Sequence, residues 1–311
     1  MHGFVSPSHD AARVAVDPSG KATVSFGTPS LGQGLETTMA QVAADGLGLD
    51  IGDVAVAWTD TSQAPMSLTG TRASRAAVVT GGAVARAARE VRGQILEVAG
   101  KLLEINASDL EIENGVIRVA GEDATAMPVA EAVRAGYFDD SLRDPDRERT
   151  FEATRLYDPP AIYSNACVIA VVEVDPNTGG VEVKRIIGVE DCGVMINPMI
   201  VEGQFIGAAA QAIGAALFER VRYGPEEQPT ASTLMDYLLP TANETVRTEL
   251  SHMHTATELT EGGLKGMGES GMIGTVSAIA CAVADALGDA GNGVRQLPLM
   301  PGDVWALLHQ P

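Results

Sequence analysis

Cysteine and histidine are too few and too scattered to build a metal centre. The 311-residue sequence contains only three cysteines, Cys167, Cys192 and Cys281, and no Cys-x-x-Cys pair. This pattern makes neither a disulfide framework nor a zinc site, and an iron–sulfur cluster requires about four thiolates. Of the five histidines, only His252 and His254 are close in sequence. We therefore expect no metal ion bound directly by this chain and no iron–sulfur cluster on it.

Basic residues and long apolar runs are also scarce. The 21 Lys and Arg residues against 41 Asp and Glu give a net charge of −20. Such a surface repels phosphate backbones and anionic membranes, so we expect no nucleic-acid partner. No basic segment followed by an apolar run opens the sequence, which predicts no signal peptide and a cytoplasmic location. The longest apolar stretches, residues 205–218 and 272–287, are interrupted by polar residues, so no membrane span is predicted.

Aromatic residues make up only 4% of the chain, whereas glycine occurs 34 times. Small residues must therefore do much of the packing, which favours close approach of backbones over bulky cores. Apolar residues at 45% and charged residues at 20% are ordinary for a globular protein and exclude a disordered or fibrous one. The length is sufficient for about two domains.

The first part of the sequence predicts a strand pair followed by a β-α-β pattern. Residues 12–27 alternate apolar and polar on both sides of Pro18-Ser19-Gly20, which predicts two strands joined by a turn. A helix over residues 33–47 and a buried strand over residues 54–58 follow. The remaining elements of this part are an Ala-rich helix and a hairpin, over residues 73–103 and 110–119.

The second part predicts another set of strands and helices after a weakly patterned segment. Residues 139–149 form a dense mixed-charge run, and we interpret residues 126–160 as an exposed connector with a short helix at 129–135. The predicted elements beyond it are a hairpin, a strand and two small-residue helices, over residues 166–174 with 181–189, 246–252, 198–220 and 272–287. The expected fold class is α+β, with two α/β lobes of mixed sheets over residues 1–125 and 161–311.

Two glycine-flanked polar clusters lie where a predicted strand gives way to a helix. The turn Gly32-Gln33-Gly34 offers open backbone, N–H groups and an amide to a ligand, although a tight turn with a helix cap explains it as well. The loop Thr71-Arg72-Ala73-Ser74-Arg75 combines hydroxyls, N–H groups and two guanidinium groups, which suits a phosphate. Its alternative explanation is an ordinary N-cap whose arginines pair with surface carboxylates.

A third cluster, Lys265-Gly266-Met267-Gly268-Glu269-Ser270-Gly271, opens the last predicted helix. A helix N-terminus favours an ionised carboxylate, and neighbouring glycines leave room for a ligand, so Glu269 is a candidate general base. The alternative is a Glu that only stabilises the helix start, by about 0.3–1 kcal/mol. Gln204, which follows Asn197-Pro198, is a further amide near a predicted helix start.

In this order, the strings resemble the C-terminal half of the molybdenum-binding subunit of the xanthine dehydrogenase family of molybdenum hydroxylases. The resemblance extends over nearly the whole chain. Besides the three clusters, the strings that carry it are Leu35-Glu36-Thr37, Asp60-Thr61, Glu173-Val174-Asp175, Thr178-Gly179, residues 191–198, Glu202-Gly203-Gln204 and residues 236–242. The fold that it implies is the family's second molybdenum-cofactor-binding domain.

The resemblance implies a role for individual residues. Glu269 matches the family's general base, which lies beside the metal. The residues that match contacts to the pterin and its phosphates are Gly32, Gln33, Gly34, Thr71, Arg72, Ala73, Ser74, Arg75, Gln204, Lys265 and Gly268. The metal itself is expected to be held through the pterin.

The resemblance also implies a reaction. It predicts a hydroxylase that takes oxygen from water and acts on an N-heterocycle such as a nicotinate- or purine-like ring. An aldehyde or carbon monoxide dehydrogenase subunit, or a non-catalytic cofactor-binding or assembly module, is the alternative. The expected cofactor is molybdopterin cytosine dinucleotide, whose extra phosphate suits Arg72 and Arg75.

Partner subunits are the last implication. The family's Gly-rich phenylalanine loop and Arg-containing substrate loop do not occur in this sequence. We therefore expect a complementary subunit that supplies the N-terminal half, as in some bacterial nicotinate dehydrogenases. FAD and 2Fe-2S centres are expected on further subunits, and the chain is expected to be active only with these partners.

Overall fold

The computed structural model describes residues 2–4, 9–57, 60–68, 70–121, 126–142 and 150–309. Parts of two predictions lie outside the described residues, namely the end of the strand over 54–58 and segments 122–125 and 143–149 around the interpreted connector. The chain divides into two compact units. The larger unit contains Phe4–Ile162 and Ala256–Gly266, and the smaller unit contains Met1–Gly3, Tyr163–Thr255 and Met267–Pro311.

Strands and helices are mixed along the chain. The strands are β1 (His2–Phe4), β2 (Asp10–Val16), β3 (Ala22–Phe26), β4 (Val54–Val56), β5 (Leu110–Glu113), β6 (Val116–Val119), β7 (Met127–Pro128), β8 (Phe151–Tyr157), β9 (Ile162–Val174), β10 (Val181–Asp191) and β11 (Thr248–His252). The helices are α1 (Leu35–Leu47), α2 (Ala76–Leu103), α3 (Val129–Phe138), α4 (Pro198–Leu217), α5 (Ser270–Ala286) and α6 (Pro301–Leu308). The predicted α+β class with mixed sheets is confirmed.

The larger unit is built on a four-stranded sheet in the order β4-β3-β2-β8. Strand β2 pairs antiparallel with β3 and β8, whereas β3 pairs parallel with β4. A parallel pair needs a crossover connection, and α1 supplies it, so the predicted β-α-β pattern is confirmed. Alternate residues of β2 and β3 enter one core together with the apolar faces of α1 and α2, which include Met39, Val84 and Ile95. A separate three-stranded sheet, β5-β6-β7, contains the predicted hairpin.

Helix α2 begins three residues later than its composition predicts. Ala73 and Ser74 have φ angles of 53° and 55°, in the left-handed region that non-glycine residues rarely adopt. The helix therefore cannot include them and starts at Ala76. The residues before it form a loop whose shape is set by contacts other than helical hydrogen bonds.

The structure corrects the interpretation of residues 126–160 as an exposed connector. Strand β8 pairs with the whole length of β2, and Phe151, Ala153 and Tyr157 are buried. The alternation of burial is interrupted at Arg155, which lies on the same face of β8 as Ala153 and Tyr157 but is exposed and pairs with Glu90 of α2. Helix α3 also buries one face in the same core. The positions of the lobe boundaries themselves stay predictions.

The smaller unit contains a mixed sheet in the order β1-β9-β10-β11. Strands β9 and β10 form the predicted hairpin, and β10 pairs parallel with β11. Helices α4 and α5 pack against this sheet through a core that includes Ile186, Ile213 and Ile279. Helix α6, for which no element was predicted, closes the same core with Val304.

Helix α4 has the length and apolar composition of a membrane-crossing helix, which the sequence analysis did not anticipate. It is the one such helix among the described residues. Phe205, Ile213 and Leu217 are buried. A buried core helix meets the same criterion, so this feature is weak support for a membrane span.

Candidate functional site

A buried ion pair lies beneath the predicted phosphate loop of the larger unit. The guanidinium of Arg75 is 3.0 Å from the carboxylate of Asp10, and both side chains are only 1% exposed. The same guanidinium donates to the carbonyl of Gly70 at 2.9 Å. Arg75 therefore ties the start of the loop to the first residue of β2. This arrangement matches the alternative in which an arginine pairs with a carboxylate, except that the carboxylate is buried.

Three hydroxyl groups complete the surroundings of Asp10. Thr28 and Thr80 donate to one carboxylate oxygen at 3.0 and 2.6 Å, and Ser67 donates to the other at 2.8 Å. A buried charge is stable only when it is paired and hydrogen-bonded, and Asp10 has four donors from three separate segments. The network therefore fixes the turn after β3, the loop before α2 and the first turns of α2 to one carboxylate.

The loop above this pair approaches the Gly32-Gln33-Gly34 turn. The Thr71 hydroxyl donates to the carbonyl of Pro29. Arg72 is exposed, and the left-handed Ala73 and Ser74 store backbone strain of the kind that clusters at ligand-binding sites. The larger unit thus joins the loop of residues 71–75 to Pro29, three residues before the Gly32-Gln33-Gly34 turn.

Gln33 has hydrogen-bonding capacity that the described residues do not satisfy. Its Oε1 accepts the Leu31 N–H at 2.6 Å, but its buried Nε2 has no acceptor among the described residues. A side chain added at the neighbouring Gly32 would meet nothing within 4 Å, so the backbone of this turn is open to a ligand. A buried donor without an acceptor requires an explanation, and a ligand that supplies the acceptor is one.

The start of the third cluster packs against the second. A Cβ at Gly266 would lie 1.8 Å from the carbonyl oxygen of Ser74, so only glycine permits this approach. Lys265 is thereby placed next to the loop of residues 71–75.

A clamp holds the segment that leads to Lys265. The Glu261 carboxylate pairs with Arg86, at 2.7 Å, and with Arg89 of α2. The backbone N–H of Glu261 donates to the Tyr157 hydroxyl at 3.0 Å. Partial burial raises the pKa of Glu261, but the two guanidinium groups outweigh it and the net pKa is lowered. The carboxylate therefore stays charged and keeps this segment attached to α2.

The smaller unit holds Gln204, Gly268 and Glu269. Glu269 immediately precedes α5, is exposed, and does not cap the helix with its side chain. A Cβ at Gly271 would lie 2.6 Å from the carbonyl oxygen of Phe205, so the first turn of α5 is in close contact with α4. Gln204 directly precedes Phe205. The unit therefore brings Gln204 and Glu269 to the same end of the α4–α5 pair.

Helix α4 begins at Pro198 as predicted, and Asn197 caps it by accepting the Ile200 N–H at 3.2 Å, so Gln204 lies in its second turn. The Lys265–Gly271 string runs from one unit into the other, with the division after Gly266.

Asp10, Glu261 and Glu190 are site or near-site residues that the sequence analysis missed. Asp10 shares the inward face of β2 with Ala12 and Val14. Glu190 shares the inward face of β10 with Ile186 and Gly188. A charged residue at an inward position of an alternating strand is a signal that could have found Asp10 and Glu190. Glu261 carries no such signal.

The donor set fits an organic, phosphate-bearing cofactor better than a directly bound metal. Among the described residues, no group of three or more His, Cys, Asp or Glu side chains could hold a metal ion. The unsatisfied Gln33 amide and the exposed Arg72 are hydrogen-bond donors instead. Such donors match the acceptor atoms of a pterin and the oxygens of a phosphate.

Comparison with known proteins gives a consistent result. Residues 1–246 match a family model described as a molybdopterin cofactor-binding domain. The chain is 40% identical over 305 residues to the nicotine 6-hydroxylase large subunit of Paenarthrobacter nicotinovorans, a match that covers 97% of this chain and 37% of the relative. It is 34% identical over 302 residues to the carbon monoxide dehydrogenase large chain of Hydrogenophaga pseudoflava, again covering 97% and 37%.

Solved structures agree. The crystal structure of quinoline 2-oxidoreductase from Pseudomonas putida 86 matches with a TM-score of 0.92 and 43% identity, over 98% of this chain and 39% of that one. The chain therefore spans little more than a third of the length of these relatives.

Proposed function

The chain belongs to the molybdopterin cofactor-binding domain family of the xanthine dehydrogenase-type molybdenum hydroxylases, and from this premise we propose that it binds the pterin cofactor of an N-heterocycle hydroxylase. The structural observation that carries the proposal lies in the larger unit. There the loop of residues 71–75 bonds to Pro29, which precedes the Gln33 turn, and packs against Gly266, which follows Lys265, while the Gln33 amide lacks an acceptor among the described residues. The Gln33 turn, this loop and Lys265 are the residues that the family resemblance assigns to the cofactor.

Each of these groups has a separate task. The Gln33 Nε2 donates to the pterin, and the exposed Arg72 binds phosphate together with the N–H groups of its loop. Arg75 acts through the loop, because its guanidinium is committed to Asp10 and Gly70. The cytosine dinucleotide form of the cofactor adds a phosphate that Arg72 is placed to bind.

Glu269 is the proposed general base. When bound, the molybdenum cofactor supplies the redox chemistry of a hydroxylation in which water is the oxygen source. The exposed Glu269 carboxylate lies at the N-terminus of α5, where the helix dipole favours negative charge, and it accepts the proton. The half-buried Gln204 at the same end of α4 contributes a second amide.

The N-heterocycle is favoured over the other substrates by the relatives. The two proteins at 40% and 43% identity are named for nicotine and quinoline, which contain ring nitrogens. The carbon monoxide dehydrogenase large chain is less similar, at 34% sequence identity. Aldehyde and carbon monoxide oxidation remain the competing activities of the proposal.

Partner chains follow from the length of the relatives. The relatives are a large subunit and a large chain of multi-subunit enzymes, and this chain spans 37% of each. We propose that residues outside this sequence complete the cofactor pocket, in the form of a complementary half-subunit, and that FAD and 2Fe-2S subunits accept the electrons. The proposed location of the complex is the cytoplasm.

One experiment tests the base. In the co-purified complex, Glu269→Gln should lower turnover by about 100-fold or more at unchanged molybdenum and pterin content, because a positioned general base contributes that much. Glu226→Gln, at an exposed site of the same unit, is the matched control and should leave turnover unchanged. Full turnover of Glu269→Gln would refute the assignment and favour a non-catalytic module.

A substrate panel tests the rest. The complex is offered N-heterocycles, aldehydes and carbon monoxide, with turnover measured for each. We expect turnover with N-heterocycles, and activity confined to aldehydes or carbon monoxide would assign the competing function.

A further inference from the structure

A closed ring of hydrogen bonds holds the backbone of Gly70, directly before the loop of residues 71–75. The N–H of Gly70 donates to the Ser67 hydroxyl at 3.2 Å, and its carbonyl accepts from the Arg75 guanidinium at 2.9 Å. Ser67 and Arg75 both bond to Oδ1 of Asp10, at 2.8 and 3.0 Å. Both backbone polar groups of Gly70 are therefore tied, by two separate side chains, to one buried carboxylate oxygen.

The single proton of the Ser67 hydroxyl sets the direction of the bonds in this ring. A serine hydroxyl has one proton and two lone pairs, whereas a carboxylate only accepts. Ser67 therefore donates its proton to Asp10, and its lone pairs are left for the N–H of Gly70. Thr28 lies 3.2 Å from the same hydroxyl and donates to the other carboxylate oxygen at 3.0 Å, so the turn after β3 is attached to the ring as well.

The ring fixes both ends of the strained part of the loop. Ala73 and Ser74 have φ angles of 53° and 55°, in the left-handed region. Non-glycine residues in this region are strained and persist only where their surroundings impose the conformation. Gly70 precedes the strained residues and Arg75 follows them, and both belong to the ring. The strained backbone therefore lies between two fixed points.

We propose that Ser67 and Asp10 are positioning residues for the cofactor: acting through Gly70 and Arg75, they hold the loop of residues 71–75 in its binding shape before the cofactor arrives. Binding to a loop that is already ordered avoids the entropy cost of ordering it, which strengthens binding. The effect on the cofactor rests on the proposed function, whereas the hold on the loop does not.

Ser67 allows the ring to be opened without unpairing a buried charge. Replacement of Asp10 would leave Arg75 buried without its partner and destabilise the whole fold. Ser67 is only half-buried, and Ser67→Ala removes the bond to Gly70 together with one of the four donors to Asp10. Ser67→Thr keeps a hydroxyl and is the conservative variant that should restore the wild-type behaviour.

Hydrogen exchange measures the hold on the loop. In the full chain purified without cofactor, Ser67→Ala should raise the amide exchange of residues 70–75 by about fivefold, the effect of one lost hydrogen bond. Ile95→Val, in the core face of α2, is the stability-matched control. It lowers the global stability by a comparable amount but removes no bond of the ring, so exchange of the loop should stay unchanged.

Release of the cofactor measures the consequence of that hold. The co-purified complex is incubated below its unfolding temperature, and the pterin that passes into a filtrate is followed by its fluorescence. Ser67→Ala should release pterin about fivefold faster, because differences in affinity arise mainly in the dissociation rate. Ser67→Thr and Ile95→Val should release it at the wild-type rate. A merely structural role of Ser67 would instead give Ile95→Val the same effect as Ser67→Ala.

Two results would overturn the proposal. One is unchanged exchange of residues 70–75 in Ser67→Ala, which would show that the ring does not order the loop. The other is release of pterin from Ser67→Ala at the rate of Ile95→Val, which would show that order in the loop does not affect the cofactor.

Arg72→Ala separates this inference from the proposed function. Arg72 is exposed and assigned to the phosphate, so this variant should release pterin faster but leave exchange of the cofactor-free loop unchanged. If Arg72→Ala releases pterin faster and Ser67→Ala does not, the cofactor site is right and the positioning role is wrong. If Ser67→Ala releases pterin faster and Arg72→Ala does not, the positioning role is right and the assignment of Arg72 is wrong.

Discussion

Two carboxyl groups, one in each unit, are removed from water, and their surroundings accommodate this burial in opposite ways. Asp10 begins β2 of the larger unit and receives hydrogen bonds from Arg75 and from three hydroxyl groups. Glu190 lies near the end of β10 in the smaller unit and has no hydrogen-bond partner among the described residues. Both are completely buried.

The difference shows what each carboxyl group can do. Removal of a charge from water is offset at Asp10 by four donors from three segments, and the carboxylate holds those segments together. At Glu190 burial raises the pKa to about 7 and outweighs the effect of Ser270, which lowers it, so this group takes up a proton near neutral pH instead. The first carboxyl is therefore a structural anchor, and the second is a group whose charge responds to pH.

The largest effect is expected at the anchor. Asp10→Asn leaves the Arg75 charge buried without its partner and should lower the free energy of unfolding by about 3–5 kcal/mol. Urea unfolding followed by circular dichroism measures this. The double variant Asp10→Leu with Arg75→Met removes both charges and should recover much of the loss. A cost of less than about 1 kcal/mol for Asp10→Asn would show that the pair is not a structural anchor.

The next effect depends on pH. The folded-state pKa of Glu190 is raised to about 7 from an ordinary 4.5, so its proton stabilises the fold fully below about pH 4.5, and this contribution is lost as the pH rises through 7. Glu190→Gln should therefore be more stable than the wild type above pH 8, by at most about 3 kcal/mol, and should lose this advantage at pH 4.5. Urea unfolding at several pH values measures the difference. An advantage that is independent of pH would contradict the raised pKa.

A smaller and local effect is expected at the clamp. Glu261→Gln weakens the contacts with Arg86 and Arg89, which are about half exposed, so the cost should be about 1 kcal/mol. Hydrogen exchange should increase in residues 256–266 and remain unchanged in α2. Glu258→Gln, at an exposed position of the same segment, is the control and should change neither.

The smallest effect is expected at an exposed ion pair. Arg13 and Glu152 pair across β2 and β8 with side chains 50% and 39% exposed. Glu152→Gln should change the free energy of unfolding by less than about 0.5 kcal/mol, because water already solvates both charges. A loss of unfolding free energy near that of Asp10→Asn would show that burial does not explain the difference between the Asp10 anchor and this exposed pair.

Much of the fold follows from local patterns in the sequence. Alternation predicts β2, β3, β9 and β10, and apolar spacing with small residues predicts α1, α2, α4 and α5. Strand β8 was missed because Arg155, a charged residue that pairs with Glu90 of α2, stands on the face otherwise occupied by Phe151, Ala153 and Tyr157 and breaks the apolar alternation. Such a contact joins residues far apart in the chain, and a local pattern does not contain it.

The candidate site was predictable only in part, because some of its contacts also join residues that are far apart in the sequence. The glycine turns, hydroxyls and amides could be recognised in the sequence, and in the larger unit the loop of residues 71–75 contacts Pro29 and Gly266. The burial of Arg75 was not visible, because its partner Asp10 is 65 positions earlier in the sequence and only the folded chain joins them. Asp10 and Glu190 could have been suspected as charges at inward strand positions, but their opposite surroundings come from other segments.

The larger unit combines two segments that are far apart in the sequence, and this affects how the chain folds during synthesis. Glu261 bonds to Arg86 across 175 positions, and residues 163–255 between them belong to the smaller unit. During synthesis the larger unit therefore waits for its final eleven residues until most of the smaller unit has left the ribosome. The smaller unit in turn includes β1, which precedes every described strand of the larger unit in the sequence. Neither unit can finish folding alone, so the two are expected to mature together, more slowly than domains that are completed one after the other.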